Sequence, residues 1–189
     1  MLTGPRVPRK YFITSGVGES DIQIHAGSLD RALKDAGIEN CNLMFYTSIL
    51  PKDAEEINRS EVSLDFGSVL ECIAAISHAR QGERACAGLI LGWVFNKKSG
   101  ERLGGLVAEY HGKAEEDEAR KILQRSLKEM FESRFDPEEY ILKDVKCVIR
   151  SIVPKKKFGS AAVALCFVTY EVPTLRKRKI FSWSRRSLL

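Results

Sequence analysis

Two adjacent hydroxyl residues, Thr47 and Ser48, lie near the end of a short apolar run that begins at Asn40 and stops at Pro51. A serine hydroxyl can attack the carbonyl carbon of the preceding residue, which converts a peptide bond into an ester. The attack requires a distorted peptide and a hydrogen-bond donor for the developing oxyanion, and ordinary Thr-Ser pairs in strands lack these features. Taken alone, residues 40–50 therefore predict a β-strand that Pro51 ends.

A short helix is predicted directly before this run. Ser28 is suited to cap its first turn, and Gly37 is suited to end it in a left-handed conformation. The helix, residues 29–36, has one apolar face, which consists of Leu29, Ala32, Leu33 and Ala36. Asp30 lies beside that face in the first turn, where the helix dipole favours a carboxylate. By itself this position predicts a helix-terminal acid and no further role.

Three segments resemble the pyruvoyl-dependent arginine decarboxylase family: DRALKDAGIE (30–39), NCNLMFYTSILP (40–51) and GLVAEY (105–110). The resemblance extends from about residue 11 to residue 172. It implies an enzyme that converts L-arginine to agmatine and carbon dioxide. It also implies self-cleavage before Ser48 into a β chain (1–47) and an α chain (48–189), with Ser48 converted to a covalently attached pyruvoyl group.

The chemistry of decarboxylation explains why such a group is needed. Loss of carbon dioxide leaves an electron pair on the α-carbon, and an electrophilic carbonyl, usually that of pyridoxal phosphate, must accept it. We recognise no pyridoxal phosphate site in this sequence. The resemblance implies that the pyruvoyl ketone forms a Schiff base with the substrate amine instead. The ketone would arise when β-elimination from the Ser48 ester expels the Thr47 carboxylate and the resulting dehydroalanine hydrolyses, with release of ammonia.

The resemblance also assigns site residues position by position. Asn42 matches an asparagine implicated in self-processing and in binding the substrate carboxylate. Asp30 matches the carboxylate expected to bind the guanidinium, and Leu33 matches a leucine that lines the substrate pocket. Glu109 matches the acid expected to return a proton to the α-carbon, a role that favours a raised pKa.

Two positions differ from the family pattern. Thr47 lies where many members have serine, and either residue leaves as a C-terminal carboxylate. Leu29 lies where we expect phenylalanine, which changes the predicted shape of the substrate pocket. The residues do not exclude the same pyruvoyl chemistry on another amino acid.

The remaining chain predicts an α+β fold. Residues 1–9 suggest a loose arm, residues 11–15 a strand, residues 16–20 a turn and residues 52–60 a surface loop. Further strands are predicted at 69–79, 85–95, 103–110, 140–153 and 160–172, and a second helix at 115–134. Periodicity also allows a helix at 69–79, where the resemblance favours a strand. The resemblance implies an αββα sandwich of largely antiparallel strands with helices on the outer faces.

The composition limits the other classes of function. The five cysteines include no C-x-x-C pair, and the three histidines are far apart, so neither a disulfide framework nor a metal site is predicted. No apolar run approaches the ~20 residues that span a bilayer. The N-terminus also lacks the apolar core of a signal peptide. We therefore expect a cytoplasmic protein without membrane insertion.

The formal charge of +5 is concentrated at one end of the chain. Residues 174–189 carry six cations and no acids, which leaves 24 basic and 25 acidic residues elsewhere. The near-neutral domain, residues 1–172, therefore argues against a nucleic-acid partner. We interpret the basic tail, residues 173–189, as a loosely packed extension. The alternative of another class is an unprocessed module that binds RNA, DNA or an anionic membrane through this tail.

The resemblance implies homotrimers or hexamers with sites between subunits.

Overall fold

Eleven strands and two α-helices form the part of the chain that the computed structural model describes, residues 2–175. The strands are β1 (Leu2–Thr3), β2 (Val7–Ser20), β3 (Asn42–Phe45), β4 (Ile49–Pro51), β5 (Glu55–Glu56), β6 (Val69–Arg80), β7 (Ala85–Asn96), β8 (Arg102–Gly112), β9 (Tyr140–Ile152), β10 (Phe158–Glu171) and β11 (Thr174–Leu175). The helices are α1 (Asp30–Asp35) and α2 (Glu116–Glu132), and single helical turns lie at Ile24–Leu29 and Arg59–Glu61.

Nine of these strands form two sheets. The order of the first sheet is β3-β6-β10-β2-β5, and the order of the second is β4-β8-β7-β9. All neighbours are antiparallel except β3 with β6 and β2 with β5. Strands β1 and β11 form a separate antiparallel pair. The predicted hairpin of β7 and β8 is confirmed, and so is the predicted strand β6. Strands β9 and β10 are also confirmed as strands, but they belong to different sheets and do not form a hairpin.

The two sheets pack face to face, and each carries one helix on its outer face. The central layer includes Tyr11, Ile73, Leu91 and Leu165, all almost fully buried. Alternate side chains of the same strands point outward, so each sheet has two apolar faces to cover. Helix α1 covers one outer face, and the apolar stripe of α2 (Ala119, Leu123, Leu127, Phe131) covers the other. The predicted αββα sandwich is confirmed.

The glycines of residues 16–20 lie inside β2, so the predicted turn is wrong. Both Gly16 and Gly18 face α1 at very close range. A Cβ atom on Gly16 would collide with the carbonyl oxygen of Ala32 and lie 2.6 Å from the nitrogen of Ala36. The glycines are therefore required by the close approach of the helix to the strand, and β2 continues to Ser20.

The helix that carries Asp30 begins earlier than predicted. Its chain is already helical from Ile24, so Ser28 lies within the helical segment and cannot act as its N-cap. Instead the buried Ser28 hydroxyl shares a 2.8 Å hydrogen bond with Ser160 on β10. The predicted end is confirmed, because Gly37 has φ +69° and the N–H of Ile38 donates to the carbonyl of Leu33.

The N-terminal arm is also more ordered than predicted. Leu2–Thr3 pairs with Thr174–Leu175, and Val7 already begins β2. The predicted loop at residues 52–60 contains the short β5 and enters the turn at Arg59–Glu61. The basic tail lies outside the described residues from position 176 onward. Within residues 2–175, no helix combines the length and the apolar character needed to cross a bilayer.

Candidate active site

The chain crosses from the first sheet to the second at Thr47 and Ser48. The N–H of Tyr46 donates to Cys72 on β6 at 2.8 Å, which is a bond to the first sheet. The carbonyl of Ser48 accepts from the N–H of Val107 on β8 at 2.9 Å, which is a bond to the second sheet. The predicted single strand at residues 40–50 is therefore wrong: it is two short strands, β3 and β4, that belong to different sheets.

The peptide between Thr47 and Ser48 lies in a tight turn at this crossing. The N–H of Ile49 donates to the carbonyl oxygen of Thr47 at 2.9 Å, which closes a three-residue turn centred on Ser48. This carbonyl is the group that a Ser48 hydroxyl would attack. A backbone N–H directed at a carbonyl oxygen polarises it and can stabilise negative charge that develops there.

The hydroxyl of Ser48 is hydrogen-bonded to Glu109 on β8. The Oγ atom lies 3.2 Å from Oε1 and 3.1 Å from Oε2, and it donates to the carboxylate. Burial raises the pKa of Glu109 above its ordinary value, while the hydrogen bond from Ser48 acts in the opposite direction. Glu109 is therefore a carboxyl group placed to exchange a proton with Ser48.

A second polar cluster lies beside the crossing and was not predicted from the sequence. Arg6 forms an ion pair with Glu71, which is 4% exposed, and donates a 3.3 Å hydrogen bond to the hydroxyl of Tyr46. The guanidinium also lies 5.0 Å from the ring centre of Tyr170. The cluster ties the N-terminal arm to the residue before Thr47. The one sequence signal was the acid Glu71 inside an apolar strand.

The predicted substrate residues lie elsewhere in the single chain. Asp30 is the exposed first residue of α1, and Leu33 packs against the apolar cluster beneath that helix. Asn42 begins β3, where its amide nitrogen donates to the carbonyl of Gly67 at 3.0 Å. Within residues 2–175, none of these three side chains hydrogen-bonds to Ser48 or Glu109. The structure thus brings together two of the predicted site residues, Ser48 and Glu109.

Apolar side chains are exposed on both sides of the crossing. Met44 and Phe45 on β3 and Ile49 on β4 are each at least half exposed. A cavity of about 350 Å³ next to Ile49 is lined mainly by apolar residues, with Arg134 among its lining side chains. Exposed apolar surface at a polar site indicates a surface that contacts a partner or a ligand.

Metal binding is not indicated by the described side chains. Across residues 2–175, no group of three or more His, Cys, Asp or Glu side chains is placed to hold a metal ion. The acids in the first turn of α2 lie on a solvent-facing helix end, where they complement the helix dipole. Glu115 there binds Arg84, which lies just before β7, and Glu116 binds Ser151 on β9.

Comparison with known proteins identifies close similarity over nearly the whole chain. The family model described as pyruvoyl-dependent arginine decarboxylase matches residues 10–172. A protein of that name from Methanopyrus kandleri is 34% identical over 158 residues, which cover 84% of this chain and 95% of the relative. The pyruvoyl-dependent arginine decarboxylase AaxB of Chlamydia muridarum is 30% identical, covering 89% of this chain and 94% of the relative. A protein named pyruvoyl-dependent arginine decarboxylase from Pyrococcus abyssi is 27% identical, covering 86% of this chain and 97% of the relative.

Proposed function

The chain belongs to the pyruvoyl-dependent arginine decarboxylase family, and on that basis we propose that it cleaves itself between Thr47 and Ser48 and converts L-arginine to agmatine. The observation that carries the proposal is the placement of the Ser48 hydroxyl against Glu109, in a turn whose N–H holds the Thr47 carbonyl. This arrangement contains the three groups that self-cleavage needs: a nucleophile, a proton acceptor and an oxyanion donor.

The proposed cleavage uses only groups of this chain and water. Glu109 accepts the proton of Ser48 Oγ as the oxygen attacks the Thr47 carbonyl carbon, and the N–H of Ile49 binds the developing oxyanion. The C–N bond breaks and its nitrogen takes up a proton, so that an ester replaces the peptide. Removal of the Ser48 α-proton then expels Thr47 as a carboxylate. Addition of water to the remaining dehydroalanine gives the pyruvoyl group and releases ammonia.

The crossing between sheets supports this cleavage physically. Strand β3 holds the segment before the bond in the first sheet, and β4 holds the segment after it in the second. Arg6 and Tyr46 add a further attachment on the β-chain side. The two sides of the bond are thus fixed independently, so each side is attached to its own sheet by contacts that do not depend on the bond that is cut.

The pyruvoyl ketone supplies the electrophile that accepts the electrons released with carbon dioxide. In the cleaved enzyme we assign Glu109 the return of a proton to the α-carbon, because its raised pKa keeps it protonated to a higher pH than an ordinary carboxyl group. We assign Asn42 a role in processing and in holding the substrate carboxylate, and Asp30 the recognition of the guanidinium.

The residues proposed to bind and convert the substrate lie on different sheets. Asp30 and Leu33 belong to the helix on the first sheet, whereas Glu109 lies on the second sheet. We propose that a second copy of the chain completes each site, in a trimer or a pair of stacked trimers. The exposed apolar residues Met44, Phe45 and Ile49 around the crossing support a contact at this position.

The substrate assignment is tested with Asp30→Asn and a matched variant, Asp35→Asn. Asp35 is an acid of the same helix whose carboxylate accepts a hydrogen bond from the N–H of Val17. Loss of a charged hydrogen bond to the guanidinium costs about 1.5–3 kcal/mol, so KM for L-arginine should rise roughly 10–100-fold in Asp30→Asn alone. Unchanged arginine kinetics would exclude Asp30 from the site. A fully cleaved wild type that forms no agmatine would favour another amino acid as substrate.

A further inference from the structure

Two buried cysteines face each other across neighbouring strands of the first sheet. Cys72 on β6 is directly opposite Cys166 on β10, and both side chains are completely buried. They project to the same outer face, into the apolar cluster beneath α1. All five cysteines of the chain are free thiols in the structure.

The hydrogen bonds of Cys72 show which kind of cross-strand pair this is. Its carbonyl accepts from the N–H of Tyr46, so its backbone groups point toward β3 and away from β10. Cys72 and Cys166 are therefore a non-hydrogen-bonded pair, the type whose Cα atoms are about 4.5 Å apart in antiparallel sheets. That separation lies within the range of about 4.4–6.8 Å that a disulfide spans.

The pair lies at the end of its ladder but inside the sheet. Cys72 with Cys166 is the last register pair between β6 and β10, and the register of β10 with β2 shifts directly after Phe167. On their other sides Cys72 is paired with Phe45 on β3 and Cys166 with Phe12 on β2, so the flanking strands hold the two sulfurs at the spacing set by the register. A hydrogen bond from the neighbouring Cys166 thiol lowers the pKa of Cys72.

We propose that Cys72 and Cys166 are a redox site that forms a reversible disulfide when the protein encounters a small hydroperoxide. The Cys72 thiolate attacks the terminal oxygen of the hydroperoxide, which gives a sulfenic acid and releases the alcohol, or water from hydrogen peroxide. The Cys166 sulfur then attacks the Cys72 sulfur, and the hydroxyl leaves as water. Two thiols are oxidised, one hydroperoxide is reduced, and a dithiol reductant reverses the reaction.

The other three cysteines provide internal controls. Cys86 is as fully buried as Cys72, but it lies opposite Gly112 and Ser151. Cys147 lies opposite Ile90. Cys41 is half-buried in the same apolar cluster as the pair, outside the strands, and is the competing partner. Burial or thiol content alone would not single out Cys72 with Cys166, whereas the strand register does.

The experiment oxidises the folded full chain with increasing hydrogen peroxide, alkylates the remaining thiols under denaturing conditions and digests the protein without reduction. We expect a cross-linked peptide pair that contains Cys72 and Cys166, two fewer alkylated thiols, and full reversal by dithiothreitol. The Cys86→Ala variant should give the same cross-link. Cys166→Ala should lose it, with Cys72 no longer part of any intramolecular disulfide.

The wild-type digest decides the matter even where a variant fails to fold. The proposal is overturned if Cys72 and Cys166 remain alkylatable thiols at every peroxide dose that leaves the circular dichroism spectrum native. It is also overturned if Cys41 is the partner in the cross-link. The result does not depend on self-cleavage, because both cysteines follow residue 48 and peptide mapping identifies the bond in a cut or an uncut chain.

Discussion

Replacing Glu109 with glutamine tests the acid–base role of this carboxyl group. Glutamine has nearly the same size and still forms hydrogen bonds, but it cannot exchange a proton at neutral pH. A positioned acid or base typically contributes about 10²–10⁴ in rate. We therefore expect kcat for L-arginine to fall by about that factor, with a much smaller change in KM.

The expected size separates proton transfer from simple hydrogen bonding. A rate loss of about 10²–10⁴ corresponds to roughly 2.7–5.5 kcal/mol. The Ser48 hydroxyl, which lies 3.1 and 3.2 Å from the Glu109 oxygens before cleavage, no longer exists in the pyruvoyl enzyme, so its bond cannot contribute to kcat. A charged hydrogen bond from Glu109 to the substrate would be worth about 1.5–3 kcal/mol, and glutamine would keep part of it. A loss near the upper end of the range therefore requires that a proton transfer has been removed.

The assay must separate cleavage from turnover, because Glu109 contacts Ser48 before the chain is cut. Cleavage is followed over time on a denaturing gel, and agmatine is then quantified by chromatography per mole of cleaved chain. Glu101→Gln is the matched control, since Glu101 lies just before β8 and pairs with Lys52 on the surface at 2.8 Å. A fully cleaved Glu109→Gln enzyme with wild-type kcat would refute the proposed role.

Three further outcomes follow from the same structure. Burial raises the pKa of Glu109, so its protonated form persists to a higher pH than that of an ordinary carboxyl group. We therefore expect kcat to decline as the pH rises through that raised pKa. A pH–rate profile of the cleaved enzyme measures this decline. Arg6→Met leaves the buried Glu71 carboxylate without its partner and should lower the free energy of unfolding by about 1–3 kcal/mol. Arg9→Met breaks exposed ion pairs and should lower it by about 1 kcal/mol or less. Urea denaturation measures both values. Gly16→Ala should prevent close docking of α1 and lower the melting temperature sharply, while Gly82→Ala, at φ +78° in open space, should cost only about 1–2 kcal/mol.

Each of these outcomes has a contrary result that is as easily observed. A kcat that stays constant or rises as the pH increases above the range in which ordinary carboxyl groups titrate would exclude Glu109 as the proton donor. Equal losses of stability in Arg6→Met and Arg9→Met would show that the buried ion pair contributes no more to the free energy of unfolding than the exposed pairs do. A Gly16→Ala protein as stable as wild type would mean that the helix can move away from β2 at little cost.

The hairpin of β7 and β8 was predictable because its signal is local. The apolar run Ala85–Asn96 is followed by turn residues and by a second apolar run, and this pattern predicts two neighbouring strands that pair with each other. The stripe of α2 is equally local, since its buried residues recur at helical spacing. These elements define the sandwich, and the family resemblance supplied the order of its layers.

The errors occurred where distant contacts decide the structure. Gly16 and Gly18 resembled a turn because glycine usually marks one, yet a helix twenty residues away requires them. The break between β3 and β4 is invisible in the pattern of residues 40–50, because only the positions of β6 and β8 determine it. Arg6 reaches Glu71 across 65 positions, a pairing that no periodicity encodes. The roles of Asn42, Asp30 and Leu33 remain predictions from the resemblance.

The central claim is self-cleavage at Thr47–Ser48, and intact-mass spectrometry of the purified, denatured protein tests it most directly. We predict two fragments, residues 1–47 ending in a free carboxylate and residues 48–189 beginning with a pyruvoyl group, the latter lighter than a chain that begins with serine. A Ser48→Ala variant should remain intact and serves as the control. A wild-type chain that stays at the full mass after prolonged incubation would contradict the account.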